Sequence, residues 1–532
     1  MRSPAPAPSL RSARLTPLFL CRLCLFCLAA HHAAAVVPGF RTQVTQSGLD
    51  YLRSVGVPLL VAQIVGIDIP DISGKTSVDV LGTVSYALSN IKLTQFAVPS
   101  TALTLVPGVG ITVGASNANG HITANWKYSC WAASDHGSAD ISVSGIAVTV
   151  SAALTATSDG HPAVSMTSCS ANVGSMSIDF HGGASWLYNL FSDTIAGDIK
   201  SSLNSQLCDQ IKSAIDTSAN QALATLPIVE PIDDYSEINF ALIENPTFTA
   251  TYLDTAHKGE FYYIKHPVEC PFTPAATPAN VTNTKMLSVW LTSFIADSAG
   301  YAYLEAGQLE YTVTPDQVPA SFPLQLNTDS FQYLLPPLYN MCPGCNLTLT
   351  VNATTPAELD ISAETGLSFF IYGDMELAVL NGSQSIDAFT LNATILSSGI
   401  VGLKSVNGSE IIWGNATFAS VGISLLESQI GPFDVSVLQS AVNILCEYAL
   451  IPLLNAYING GFAIPTIEGI TFVDPEIILG DDYIQIDTNI NYVPTSERSW
   501  VTRPSRLDVP APAFFARPAP VVENVPQRIP IV

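Results

Sequence analysis

From Trp186 to Leu226 apolar residues return at every fourth position, through Leu187, Phe191, Ile195, Ile199, Leu203, Leu207, Ile211 and Ile215. That spacing is one face of an α-helix, so the stretch predicts a long, half-exposed helix with a single apolar stripe that must be buried against another surface. The residues before it supply such a surface. Ile141 to Val150 reads I-S-V-S-G-I-A-V-T-V, alternating and rich in β-branched side chains, and Ser158 to Pro162 (S-D-G-H-P) is turn chemistry. Both point to a twisted antiparallel sheet. An earlier run, Val44 to Val65, sets Leu49, Leu52, Val55, Leu59 and Leu60 at helical spacing, with Gly56 and Pro58 expected to bend or break it.

The second half repeats this order of elements. A strand-rich body from Met286 to Ile430 precedes a helix over Val435 to Tyr457, with Leu438, Val442, Leu445, Leu450 and Leu454 on its apolar side and a kink expected at Pro452. A last strand covers Ile484 to Ile490. Between the halves, residues 266–283 hold Pro267, Pro271, Pro274 and Pro278 with little periodicity and read as an extended linker. The reading is therefore a secretory leader over 1–35, an N-terminal half over 36–265, the linker, a C-terminal half over 284–493, and a proline-rich, disordered tail over 494–532. The leader joins basic Arg2, Arg11 and Arg14 to an apolar Leu15–Ala30 and small Ala33 and Ala35 before Val36. Arg22 interrupts the apolar run, which leaves an uncleaved signal anchor as the alternative. No later segment reads as transmembrane.

With 48% hydrophobic and only 12% charged residues, the chain can bury large cores. It carries 20 basic against 44 acidic residues, and four of the basic ones are in the leader. Such a surface repels nucleic acid and anionic membranes. Sequons at Asn280, Asn346, Asn352, Asn381, Asn392, Asn407 and Asn415 all fall late in the chain, and beside a leader they favour a secreted glycoprotein. Three of the ten cysteines leave with the leader, so Cys130, Cys169, Cys208, Cys270, Cys342, Cys345 and Cys446 remain. An odd number leaves one thiol without an intramolecular partner, expected buried and inert.

Several passages carry a resemblance. Residues 48–51 (G-L-D-Y), 69–71 (I-P-D), 106–110 (V-P-G-V-G), 116–119 (S-N-A-N) with Trp126, and 186–191 (W-L-Y-N-L-F) occur in one order, followed by 258–261 (K-G-E-F), 431–433 (G-P-F) and 461–465 (G-F-A-I-P). In this order the chain resembles the family of bactericidal/permeability-increasing protein and lipopolysaccharide-binding protein, which includes phospholipid and cholesteryl ester transfer proteins. The resemblance implies an α+β, elongated two-barrel lipid-binding fold, each half a twisted antiparallel sheet wrapped on long helices and joined by a central sheet. It also implies a disulfide between Cys169 and Cys208, no catalytic role, and no cofactor apart from bound phospholipid. Implied partners are phospholipid or lipopolysaccharide and, transiently, a membrane or lipid-particle surface.

Expected pocket walls are Leu52, Leu59, Leu60 and Ile64 on the first helix and Leu187, Leu190 and Phe191 at the start of the second; plain core packing is the competing reading of each. The endotoxin-binding members of the family carry a basic tip. Here Arg41, Arg53, Lys75, Lys92 and Lys127 are cancelled by Asp50, Asp68, Asp71, Asp79 and Asp135, and the corresponding hairpin Asn125–Trp131 has one cation. Strong binding of lipopolysaccharide phosphates is therefore not expected there. Among rival readings, a serine hydrolase lacks the G-x-S-x-G elbow, and His181-Gly-Gly-Ala184 is more simply a turn. Cys342-Pro-Gly-Cys345 has redox or zinc spacing but no second ligand pair, so a disulfide is its expected use. A structural glycoprotein with a vestigial pocket is the third reading.

Overall fold

In a computed structural model the described residues are 37–65, 68–78, 82–182, 192–278, 284–318, 324–406, 409–464 and 470–493. The segments read as a leader and a proline-rich tail thus lie outside them. In the N-terminal half the long strands Gly82–Ala97, Gly110–Ser129, Ser134–Ala156 and Pro162–Asn172 are antiparallel neighbours in that order. Their pairing slips between Ser89 and Lys92 and between Ala115 and Ala118. Asn90 and Asn117 sit at these slips with φ of 50° and 55°, a left-handed conformation that asparagine tolerates better than most residues. Such bulges bend strands and strengthen twist, and so curl the sheet.

Helix α1 (Gln46–Ile64) begins where the Thr45 hydroxyl accepts from the Gly48 amide, and it runs unbroken through Pro58. The expected break is absent: Ser54, whose carbonyl Pro58 cannot bond, and Pro58 one turn on are both exposed. Solvent serves that carbonyl instead. The inner side of α1 sets Leu49 against Leu105 and Phe248.

Helix α2 (Ser192–Ser213) lies on the curled sheet, with Ile199 and Leu203 packed among Val84, Leu88, Ile122 and Ile141. The four-residue step predicted one long helix here. Instead α2 passes into a π-helical segment, Ala214–Ala219, and then a helical turn, Asn220–Ala224. Each four-residue step overshoots an α-helical turn by about 40°, so the stripe drifts around the axis; the wider π-turn rotates it back.

The C-terminal half repeats the plan. Strands Asn346–Ala353, Gly366–Asn381, Gln384–Val406 and Ser409–Ser428 form the body of a seven-stranded sheet. The expected helix over 435–457 is a 3₁₀ turn, a helix Gln439–Leu445, a π-segment Cys446–Leu450 and a helix Ile451–Ile458. Pro452 is in the first turn of the last piece, directly after the π-segment. Val435–Ile458 is also apolar and long enough to cross a membrane, unlike the sequence reading. Leu438, Val442, Cys446 and Ile451 nonetheless bury its inner side in this half's core.

A six-stranded central sheet takes strands from distant parts of the chain: Tyr252–His257, Phe40–Thr45, Leu287–Thr292 and Tyr483–Tyr492 are successive neighbours. Gln43 is opposite Asp254 on one side and Ser288 on the other, and Ser288 is opposite Asp487. All four are buried. Gln43 Nε2 donates to Asp254 (2.8 Å), and the Arg41 guanidinium grips the same carboxylate, with Nε to Oδ1 at 2.9 Å. Arg41 also reaches the Pro278 carbonyl and the Thr277 hydroxyl, which ties the proline-rich stretch to the sheet.

Cys169 and Cys208 are bonded, with Cα atoms 5.7 Å apart, and join strand Pro162–Asn172 to α2. Cys342 and Cys345 form a second, local pair. Cys130, Cys270 and Cys446 are free thiols, three where the odd count predicts one, and of these Cys446 is buried and the others half-buried; burial pushes those of Cys270 and Cys446 up to about 12. Replacing Cys169 or Cys208 by Ser is expected to lower stability by roughly 2 to 5 kcal/mol; an unchanged denaturation midpoint would contradict a stabilising role for this bond.

His257 in the central sheet sets Nδ1 against the Phe240 carbonyl (2.8 Å) and Nε2 against the Thr255 hydroxyl (2.8 Å). Burial depresses its pKa to about 4. The folded state therefore binds this proton less readily than the unfolded chain, and the group's contribution is lost as pH falls from its ordinary value of 6.5 towards 4. Asp297, raised by burial to about 6, acts with opposite sign over much of the same range. The difference between proteins is thus the readout. Each tenfold change in proton affinity is worth about 1.4 kcal/mol, so His257→Gln should lose less stability than wild type between pH 7 and 4, by roughly 3 kcal/mol. Parallel stability curves would refute this assignment.

Candidate functional site: an apolar cavity in each half

Between α2 and the N-terminal sheet is a cavity of about 170 Å³. The sheet contributes Leu93, Phe96, Ile122, Val143 and Ile146; the helix contributes Leu203, Gln206, Leu207, Gln210 and Ile211, and Ala214 opens the π-segment at its edge. Gly120 also lines it, and a Cβ there would come within 3.3 Å of Leu93 Cδ1. A glycine at this position keeps the space open.

The C-terminal half holds a cavity of about 90 Å³ in the corresponding place. Leu349, Met375, Leu377, Phe389 and Leu391 come from its sheet. Leu438, Ala441, Val442, Leu445 and Ala449 come from the broken helix, and Phe331 with Leu324 and Leu326 closes one side. Thr328, three residues before Phe331, accepts from the Cys345 amide (3.1 Å) and donates to the Cys342 carbonyl (2.7 Å). The local disulfide thereby braces the segment that carries Phe331.

No ionisable side chain lines either cavity among the described residues. Such walls hold hydrocarbon and exclude buried charge. His181 sets Nε2 against Asp140 (2.8 Å) at an exposed position and lines neither cavity.

The expected walls fare differently. Leu52 is half-buried on α1 and lines neither cavity. Leu59, Leu60 and Ile64 belong to α1, but their side chains are outside the described set, as are residues Leu187, Leu190 and Phe191 altogether. The N-terminal cavity uses a later part of the same helical stripe, at Leu203, Leu207 and Ile211, together with sheet residues not singled out from sequence. Inward alternation along Ile141–Val150 marked Val143 and Ile146 as apolar, but nothing local distinguished cavity wall from core.

The hairpin at the end of the N-terminal sheet buries Trp126 and Tyr128 and leaves Lys127 exposed and Trp131 82% exposed. Of the sequons, Asn346, Asn352, Asn381 and Asn392 are exposed and Asn415 is half-buried; Asn280 and Asn407 lie outside the described residues.

Comparison with known proteins agrees with this architecture. Residues 48–219 match the model described as LBP / BPI / CETP family, N-terminal domain, and residues 230–492 match its C-terminal domain. The chain is 31% identical to a bactericidal permeability-increasing protein of Sebastes schlegelii over 86% of its own length and 96% of that protein's. It is 27% identical to the lipopolysaccharide-binding protein of Homo sapiens over 90% and 99%. A crystal structure of lipopolysaccharide binding protein aligns with a TM-score of 0.57 at 24% identity, covering 86% of this chain and all of that one, a likeness of fold. With a matching model on each half and a relative matched over nearly its whole length, the chain belongs to the LBP / BPI / CETP family.

Proposed function

We propose that this is a secreted lipid-binding protein that shelters phospholipid acyl chains in its two cavities and keeps their charged head groups in solvent. The observation that carries this reading is the pair of cavities, one under the helix of each half, lined without a single ionisable side chain among the described residues. Each methylene moved out of water gains about 0.8 kcal/mol, so a buried sixteen-carbon chain is worth on the order of 12 kcal/mol gross. A bilayer offers about the same. Exchange with membranes therefore runs near balance, and the reading extends to carriage of phospholipid between membranes or lipid particles. It assigns binding to the site and no chemical step.

Recognition of lipopolysaccharide in innate defence is a second reading, favoured by relatives named for that ligand or for bactericidal activity. Hairpin Asn125–Trp131 would offer its phosphates only Lys127.

Native mass spectrometry of purified mature protein is expected to find co-purified phospholipid. Ile211→Trp fills the N-terminal cavity and Ala441→Trp the C-terminal one; each should remove the lipid of its own half, and the double variant should carry none. Wild-type protein that stays free of lipid after incubation with phosphatidylcholine vesicles would end the carrier reading. Exposure supports glycans at Asn346, Asn352, Asn381 and Asn392. Enzymatic deglycosylation in heavy-oxygen water should mark these four asparagines with labelled aspartate, and unlabelled peptides would remove them as glycan sites.

A further inference from the structure

The two cavities differ in one respect that bears on what each can hold. In the C-terminal half the helical wall is apolar throughout, at Leu438, Ala441, Val442, Leu445 and Ala449. In the N-terminal half the same i, i+3, i+4 spacing runs Leu203, Gln206, Leu207, Gln210, Ile211. Two carboxamides thus stand one turn apart where the other half has alanine or leucine. Gln206 is half-buried and donates through Nε2 to the Ser202 hydroxyl (2.6 Å). Its Oε1 and the whole carboxamide of Gln210 have no protein partner among the described residues, and Gln210 is exposed, which sets the pair along a path from the apolar interior to solvent.

We infer that the N-terminal cavity selects lipids by an uncharged ester or hydroxyl group at the end of the hydrocarbon, read by Gln206 and Gln210, whereas the C-terminal cavity takes hydrocarbon without discrimination. This rests on the lipid-carrier reading and specifies the ligand of one of its two sites. Bare hydrocarbon over the half-buried Gln206 strips water from its carboxamide without compensation, while exposed Gln210 keeps its own water at the mouth. An ester carbonyl accepts from the amide N–H groups, and a hydroxyl donates to the amide oxygen, so a ligand with such a group removes that penalty. A phosphate or ammonium finds no counter-charge among the described lining residues and remains outside. The glycerol ester region of a glycerolipid has the required chemistry.

The test uses full-length mature protein carrying Ala441→Trp, so that only the N-terminal cavity is open, and two fluorescent probes: a diacylglycerol and an alkane of matched carbon number. In that background Gln206→Leu with Gln210→Leu should weaken diacylglycerol binding about tenfold or more and leave alkane binding unchanged or tighter. Unchanged diacylglycerol affinity would overturn the inference. Equal loss of both probes would overturn it too, by assigning the glutamines to packing. Gln210→Leu alone, at an exposed position, supplies a variant with little reason to misfold and should show the same preference to a smaller degree. If the parent protein binds neither probe, the carrier reading itself fails, an outcome distinct from loss of discrimination between them.

Discussion

Strand Phe40–Thr45 lies between Tyr252–His257 and Leu287–Thr292, and Tyr483–Tyr492 is paired beyond the latter. This places residues from the start, middle and end of the folded chain in one sheet, and both helix-on-sheet halves are anchored to it. The buried row Asp254, Gln43, Ser288 and Asp487 makes its register specific. A one-residue slip would turn Phe40 towards the polar face and strand Asp254 without Arg41. Buried charge is costly unless paired, so Arg41 on Asp254 selects one pairing more than it adds stability.

On that anchor each half meets the same packing problem. A curled sheet presents a concave face, and a helix with one apolar stripe covers it incompletely. In the N-terminal half the stripe drifts around the axis until the π-segment Ala214–Ala219 resets it; the C-terminal helix is interrupted at the corresponding stage by Cys446–Leu450. Both cavities adjoin these interruptions, through Ala214 in one half and Ala449 in the other. A tightly filled core would be more stable, since voids forfeit dispersion contacts. Retaining two openings in a marginally stable molecule accords with their use for ligand.

The charge distribution bears on what reaches those openings. The chain as a whole is acidic, yet the described cavity walls carry no charge, so electrostatics act outside the cavities more than within them. Discrimination within a cavity is left to shape and to neutral hydrogen-bonding groups. The Gln206 and Gln210 pair is where the two halves part in this respect.

Much of the architecture was legible in the residues because it follows from periodicity. Alternation over Ile141–Val150 gave strands, the four-residue step gave α2, and the ordered family motifs gave the Cys169–Cys208 bond. Pro58 misled because its effect depends on which side of α1 faces water, a tertiary property. Leu52 was a reasonable wall by the same stripe logic that identified Leu203 and Leu207, but the space opened under α2. Residue order alone specified which faces were apolar, how long the elements could be and which charges were scarce. Where two apolar faces fail to meet was settled in three dimensions, because a cavity is a mismatch between surfaces built from distant segments and no local pattern encodes that difference.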